Sequence, residues 1–143
     1  MDAKKAESSR FGMLRAAFFS KRLRSLAFFA ALAAVVKLSL LSGAEVDASF
    51  SREVQSHDHQ FHVLAYAALS SLFLAAFRKR GSLRGSVAWR VAAFLAFSAL
   101  GAALEGLQAL PAIGRSATWS DGLSNALGAA LGAVLFPECF LLP

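Results

Sequence analysis

The run FHVLAYAALSSLFLAAF, residues 61–77, decides how the rest of the chain is read. It contains no Asp, Glu, Lys or Arg, and Arg78-Lys79-Arg80 follows it at once. Spanning the ~30 Å hydrocarbon layer of a bilayer takes roughly 17–25 helical residues, so this run is just sufficient. Strict alternation of apolar and polar residues, the mark of a barrel strand, is absent from it and from the rest of the chain.

Working outward, three further apolar blocks appear. One runs from Leu26 to Leu41 with Lys37 inside it, one from Val87 to Leu110, and one from Gly122 to Phe136, where Pro137 stops it. The third block along the chain is ample for a span. The fourth is short unless Trp119 to Asp121 and the tail through Leu142 are added. Lys37 sits near the far end of its block, where its ammonium can snorkel to an interface. The pattern predicts an all-α protein, an integral membrane bundle of about four transmembrane helices at about 23–42, 59–77, 86–110 and 120–137. Apolar residues make up 57% of the chain, above the ~45–50% of ordinary soluble domains.

Residues 1–22 form a basic leader, and 23–143 form one domain. Phe11, Met13, Leu14, Ala17 and Phe18 interleave with the leader's basic residues at roughly helical spacing. Two readings stand side by side: an amphipathic helix on the membrane surface, or a disordered segment. Ser42-Gly43-Ala44 resembles a signal-peptide cleavage motif, but the leader is long and Lys37 interrupts the hydrophobic region. The first block is therefore expected to stay as an anchor.

The net charge of +6 does not point to nucleic acid, because the basic residues flank apolar blocks and no nucleic-acid motif is present. A membrane surface is the expected partner for this charge. Seven of the 15 Lys and Arg residues precede or open the first block, at Lys4, Lys5, Arg10, Arg15, Lys21, Arg22 and Arg24. Five more lie at Arg78, Lys79, Arg80, Arg84 and Arg90, leaving Arg52 and Arg115 for the opposite side. The positive-inside rule then predicts a multi-pass protein with both termini cytoplasmic. Cys139, the single cysteine, has no partner for an internal disulfide and no nearby metal-ligand spacing.

That orientation gathers the polar residues at the extracytoplasmic ends of the helices. Asp58, His62 and Tyr66 are spaced four and four, and steps of four keep them on one helix face. Glu105 and Gln108, three apart, close the next helix; Arg115 lies in the following loop; Asp121 and Asn125, four apart, open the last one. Ionisable groups inside a membrane point to function by default. Plainer roles exist for each: Asp121 complementing a helix N-terminus with Ser120 as cap, Arg115 in a structural ion pair, Tyr66 as an interfacial aromatic, Gln108 and Asn125 as interhelical glue. Gly128 and Gly132 form a Gly-x-x-x-Gly, which packs helices closely. The run His57-Asp58-His59-Gln60-Phe61-His62 invites a zinc reading, yet its spacing is not that of a helical His-Glu-x-x-His site and no cysteine assists. No metal and no cofactor are expected.

The ordered set Asp58…His62…Tyr66, Glu105-x-x-Gln108 and Arg115…Asp121…Asn125-x-x-Gly128, with Gly132 one turn on, resembles the VanZ-like family over residues 58–132. That family pattern usually has a lysine directly after the aspartate, where this chain has His59. A mechanism needing a cation there would have to draw it from elsewhere, for example Lys37. The resemblance implies a small multi-spanning protein of the bacterial plasma membrane and cell envelope, in a family whose name-giving member is linked to low-level resistance to the glycopeptide antibiotic teicoplanin. It implies no reaction.

Three roles remain in competition. The leading expectation is a non-catalytic binding role at the outer leaflet, with Asp58, His62, Tyr66, Glu105, Gln108, Arg115, Asp121 and Asn125 receiving the polar head of a membrane lipid or lipid-linked envelope precursor. The second is an enzyme acting on such a lipid with His62 as general base, although no convincing nucleophile or catalytic set is visible. The third is a structural accessory of a larger complex, since Ala-rich faces permit helix contacts within or between chains. A proton or ion relay is disfavoured, because the other halves of the helices offer only Ser70, Ser71 and Ser98.

Overall fold

The structure, a computed structural model, describes residues 21–51, 57–77, 83–113, 115 and 118–135. Among them there are five helices and no strand: α1 (Lys21–Ser39), α2 (Gly43–Ser49), α3 (Asp58–Phe77), α4 (Leu83–Gln108) and α5 (Trp119–Leu135). The all-α expectation holds. Residues 1–20 of the leader, and with them the surface-helix reading, lie outside the described residues, as do Pro137 and Cys139.

The boundaries differ from the predicted ones in informative ways. α1 begins at Lys21, two residues before the expected start, and stops at Ser39 where about 42 was expected. It stops because Ser42 is already occupied as the N-cap of a separate helix that the block reading overlooks. The Ser42 side chain accepts from the Glu45 backbone N–H, and the Glu45 carboxylate accepts from the Ser42 backbone N–H at 2.8 Å. This reciprocal capping box satisfies donors that a helix start otherwise leaves unpaired. It also holds the exposed Glu45 carboxyl below the ordinary carboxylate range, first through the Ser42 backbone N–H and then through its hydroxyl. α4 begins at Leu83 and ends at Gln108, two residues short of the expected end. α5 begins at Trp119, close to the expected 120.

α3 is the centre of the bundle and packs against α1, α4 and α5, most extensively against α5. Tyr66, Leu69, Ser70 and Leu74 are essentially inaccessible, while Phe61 and Leu64 on the same helix are half or more exposed. α5 shows why the contact with α3 is so close. Its buried residues are Asp121, Asn125, Gly128, Ala129, Gly132 and Ala133, a single stripe at helical spacing. A Cβ on Gly128 would strike the Val63 carbonyl oxygen, and one on Gly132 the Ala67 carbonyl oxygen. The two backbones meet directly there, as the predicted Gly-x-x-x-Gly contact requires. Large apolar residues of α5 point the other way, with Leu123 70% and Val134 70% exposed. A helix packing in water shows the reverse distribution.

Asp58–Phe77 and Val87–Gln108 are long and apolar enough to cross a membrane, with mean hydropathies of 1.5 and 1.7 over their best windows. At 1.5 Å per residue, α3 is about 30 Å long.

The two ends of the bundle differ in chemistry. At one end Phe73 is a hub, its ring 5.4–5.8 Å from those of Phe28, Phe77, Phe97 and Trp89. Tilted and edge-to-face pairs at these distances add about 0.5–1.5 kcal/mol each beyond area burial. Arg90 also lies at this end and donates from Nη1 to the carbonyls of Ala133 and Val134 (the latter at 3.0 Å), closing the C-terminal turn of α5. Polar residues gather at the other end.

Candidate functional site

The polar end is built from the first turns of α3 and α5, the last turns of α4, and the loop at Arg115. Asp58, His62 and Tyr66 follow one another down one face of α3, as their four-residue spacing predicts. His62 Nδ1–H donates to Asn125 Oδ1 on α5 at 2.7 Å. The other ring nitrogen, Nε2, lies 3.7 Å from Asp58 Oδ1. Asn125 therefore holds the imidazole from its Nδ1 side. The second Asp58 oxygen faces Arg115, with Oδ2 to Nη2 at 3.8 Å. The loop arginine thus makes the ion pair expected of it, and its partner is Asp58.

Asp121 begins the α5 half of the site. The predicted cap Ser120 is not the cap. Thr118 is: its hydroxyl accepts from the Asp121 backbone N–H at 3.2 Å and donates to Asp121 Oδ2 at 2.6 Å. Thr118 lies just before the first helical residue, where its side chain can reach the free N–H groups; Ser120 is already inside the first turn. Asp121 Oδ1 accepts from His59 Nδ1–H at 2.8 Å. His59, which the sequence reading leaves out of the binding set, is thereby a member of the site.

Glu105 is 6% exposed, and its Oε2 has no hydrogen-bond partner among the described residues. Its carboxyl lies close enough to interact electrostatically with Asp121 and His62, and it is near the Thr118 backbone and the Asn125 side chain. Tyr66, 1% exposed, is a core residue and not an interfacial aromatic. Gln108 is also buried, but its amide donates to the Ser39 carbonyl at 2.9 Å, tying the end of α4 to the end of α1. Of the eight residues predicted to bind, Gln108 is thus used structurally. Lys37 is exposed.

A cavity of about 480 Å³ opens beside this cluster. Asp58, His62, Tyr66 and Arg115 line its polar part; Leu38, Val46, Phe50, Phe61 and Leu64, from α1, α2, the residue after α2 and α3, line its apolar part. The short helix α2 supplies a wall that the sequence reading places in a loop. No family model matches the chain, and no curated protein and no solved structure matches it.

Proposed function

We propose that the chain is a VanZ-like protein of the bacterial plasma membrane that binds an amphipathic molecule, of the class of lipid-linked envelope precursors, at the outer leaflet. The cavity carries this reading. Its charged and imidazole groups lie at one end of an otherwise apolar trough, which suits a polar head with a hydrocarbon tail. The residues that carry the family resemblance are largely those that surround the polar end. A role linked to glycopeptide resistance follows from that resemblance alone.

The reading takes α1, α3, α4 and α5 as four spans with both termini cytoplasmic. Support comes from exposed large apolar side chains on each of them, among them Leu26 at 66%, Leu64 at 65%, Leu95 at 58% and Leu127 at 54%. So much apolar surface would be a liability in water and is ordinary against lipid. Arg22 and Arg24, in the first turn of α1, and Arg90, in the first half of α4, lie at the end away from the polar cluster.

Native mass spectrometry of the protein extracted with its own lipids tests the proposal. An amphiphile that co-purifies with the parent chain and is lost on Arg115→Ala is the expected result; identical lipid profiles for both would end it. A catalytic version has one observation in its favour, a cavity-lining His62 held through Nδ1 by Asn125, with Nε2 beside Asp58. It predicts turnover of a labelled polyprenyl-type lipid that disappears in His62→Gln.

A further inference from the structure

The polar end has an arrangement that lipid binding does not require. One ligating atom each from Asp58, His62 and Asp121 falls within 4.8 Å of the others. All three are held by outer partners: Asp58 Oδ2 faces Arg115, His62 Nδ1 donates to Asn125, and the two Asp121 oxygens accept from His59 and Thr118, each oxygen keeping a second lone pair. Such buttressing, with an imidazole donating its second N–H to an oxygen, is the habitual construction behind metal ligands, because it fixes ring orientation and tautomer.

The tautomer matters. With Nδ1–H committed to Asn125, a neutral His62 presents a bare lone pair at Nε2. That lone pair faces a carboxylate oxygen at 3.7 Å. Two electron-rich atoms in that position repel one another unless a cation or proton lies between them. Glu105 adds a third carboxylate close by, nine-tenths buried, with Oε2 unpartnered among the described residues. Glu105 and Asp121 are both buried at this end, while Asp58 is about half exposed and faces Arg115; buried carboxylates are costly unless compensated.

We infer that Asp58, His62 and Asp121 form a binding site for a divalent transition-metal cation of zinc-like preference at the head-group end of the cavity. One imidazole nitrogen and two carboxylate oxygens make a three-ligand set, and Zn²⁺ accepts such sets at about 2.0–2.2 Å with a further position left open. Contraction of the observed separations by about an ångström meets that geometry. Glu105 lies outside the three-ligand group and supplies the additional negative charge, with a free oxygen for water on the metal. The sequence conceals this set because its ligands are split between α3 and α5. The inference goes beyond the lipid reading and stands without it.

The test is a titration of Zn²⁺ and Co²⁺ into chelator-treated full-length protein in nanodiscs, by calorimetry and by visible absorption. Expected are a single saturable site and cobalt bands of the intensity that a low-symmetry nitrogen–oxygen site produces. His62→Gln and Asp121→Asn should each abolish the bands, Asn125→Ala should weaken affinity about 10–100-fold as outer partners do, and the exposed His57→Gln should change nothing. No saturable binding by the unaltered chain would overturn the inference. Binding that survives His62→Gln or vanishes in His57→Gln would also overturn it. Lipid co-purification is a separate readout, so either proposal can fail alone.

Discussion

The aromatic and polar ends of the bundle are assembled by opposite rules. At the aromatic end, rings from three helices touch, and Arg90 spends donors on backbone carbonyls of α5. At the polar end the helices approach through small residues, and Asn125, Asp121 and Glu105 occupy the space between them. A hydrogen-bonded amide there fits against Gly101, whose Cβ, if it had one, would sit 2.7 Å from that of Asn125. One end is held by ring packing, the other by hydrogen bonds and ion pairs between helices, with Glu105 Oε2 and Asn125 Nδ2 left over. A change at the first should alter stability and spare binding; a change at the second should do the reverse.

The seam joining the two ends should break both. Gly132→Val drives a branched side chain into the Ala67 backbone, which unlike a flexible side chain cannot move aside. Loss of the folded protein is expected by size-exclusion chromatography and circular dichroism. Phe73→Ala removes the hub of the ring cluster and should cost about 3 kcal/mol in unfolding free energy. Cavity ligation measured on the protein that remains folded should be unchanged; a parallel loss would show that the ends are not independent. Arg90→Met strips two α5 carbonyls of their donor and should cost about 1–2 kcal/mol, read as faster amide exchange confined to the last turn of α5.

The smallest effect is at α2. Because Glu45 is held below the usual carboxylate range in the folded chain, its stabilising contribution is complete above the ordinary carboxylate pKa and is lost as pH falls through the lowered value. Amide exchange at Glu45 and Val46, corrected for intrinsic rate, should rise over that acidic interval, and Glu45→Gln should remove the pH dependence.

These particulars show what was legible in the sequence. α3 and α4 were, because a long uncharged run has few alternative structures, and so was the Asp58–His62–Tyr66 face, which depends only on helical period. Ser42-x-x-Glu45 is a capping-box spacing that marks α2, and Thr118-x-x-Asp121 is a related pattern; attention to a cleavage motif and to Ser120 passes over both. His59 with Asp121 and His62 with Asn125 were not legible as pairs. Their partners are more than sixty positions apart, and pairing depends on the rotation and depth at which α3 meets α5. Backbone contact at Gly128 and Gly132 sets both, and a motif announces closeness without register.

Direct backbone contact between α3 and α5 leaves those helices no room to slide apart, so any guest must come and go on the opposite flank. That flank is closed by α2, seven residues secured by a surface cap that water can compete for. If the cavity holds a lipid as proposed, residues 43–49 are the natural place to retune which tails are admitted, since they lie apart from the contact between α3 and α5.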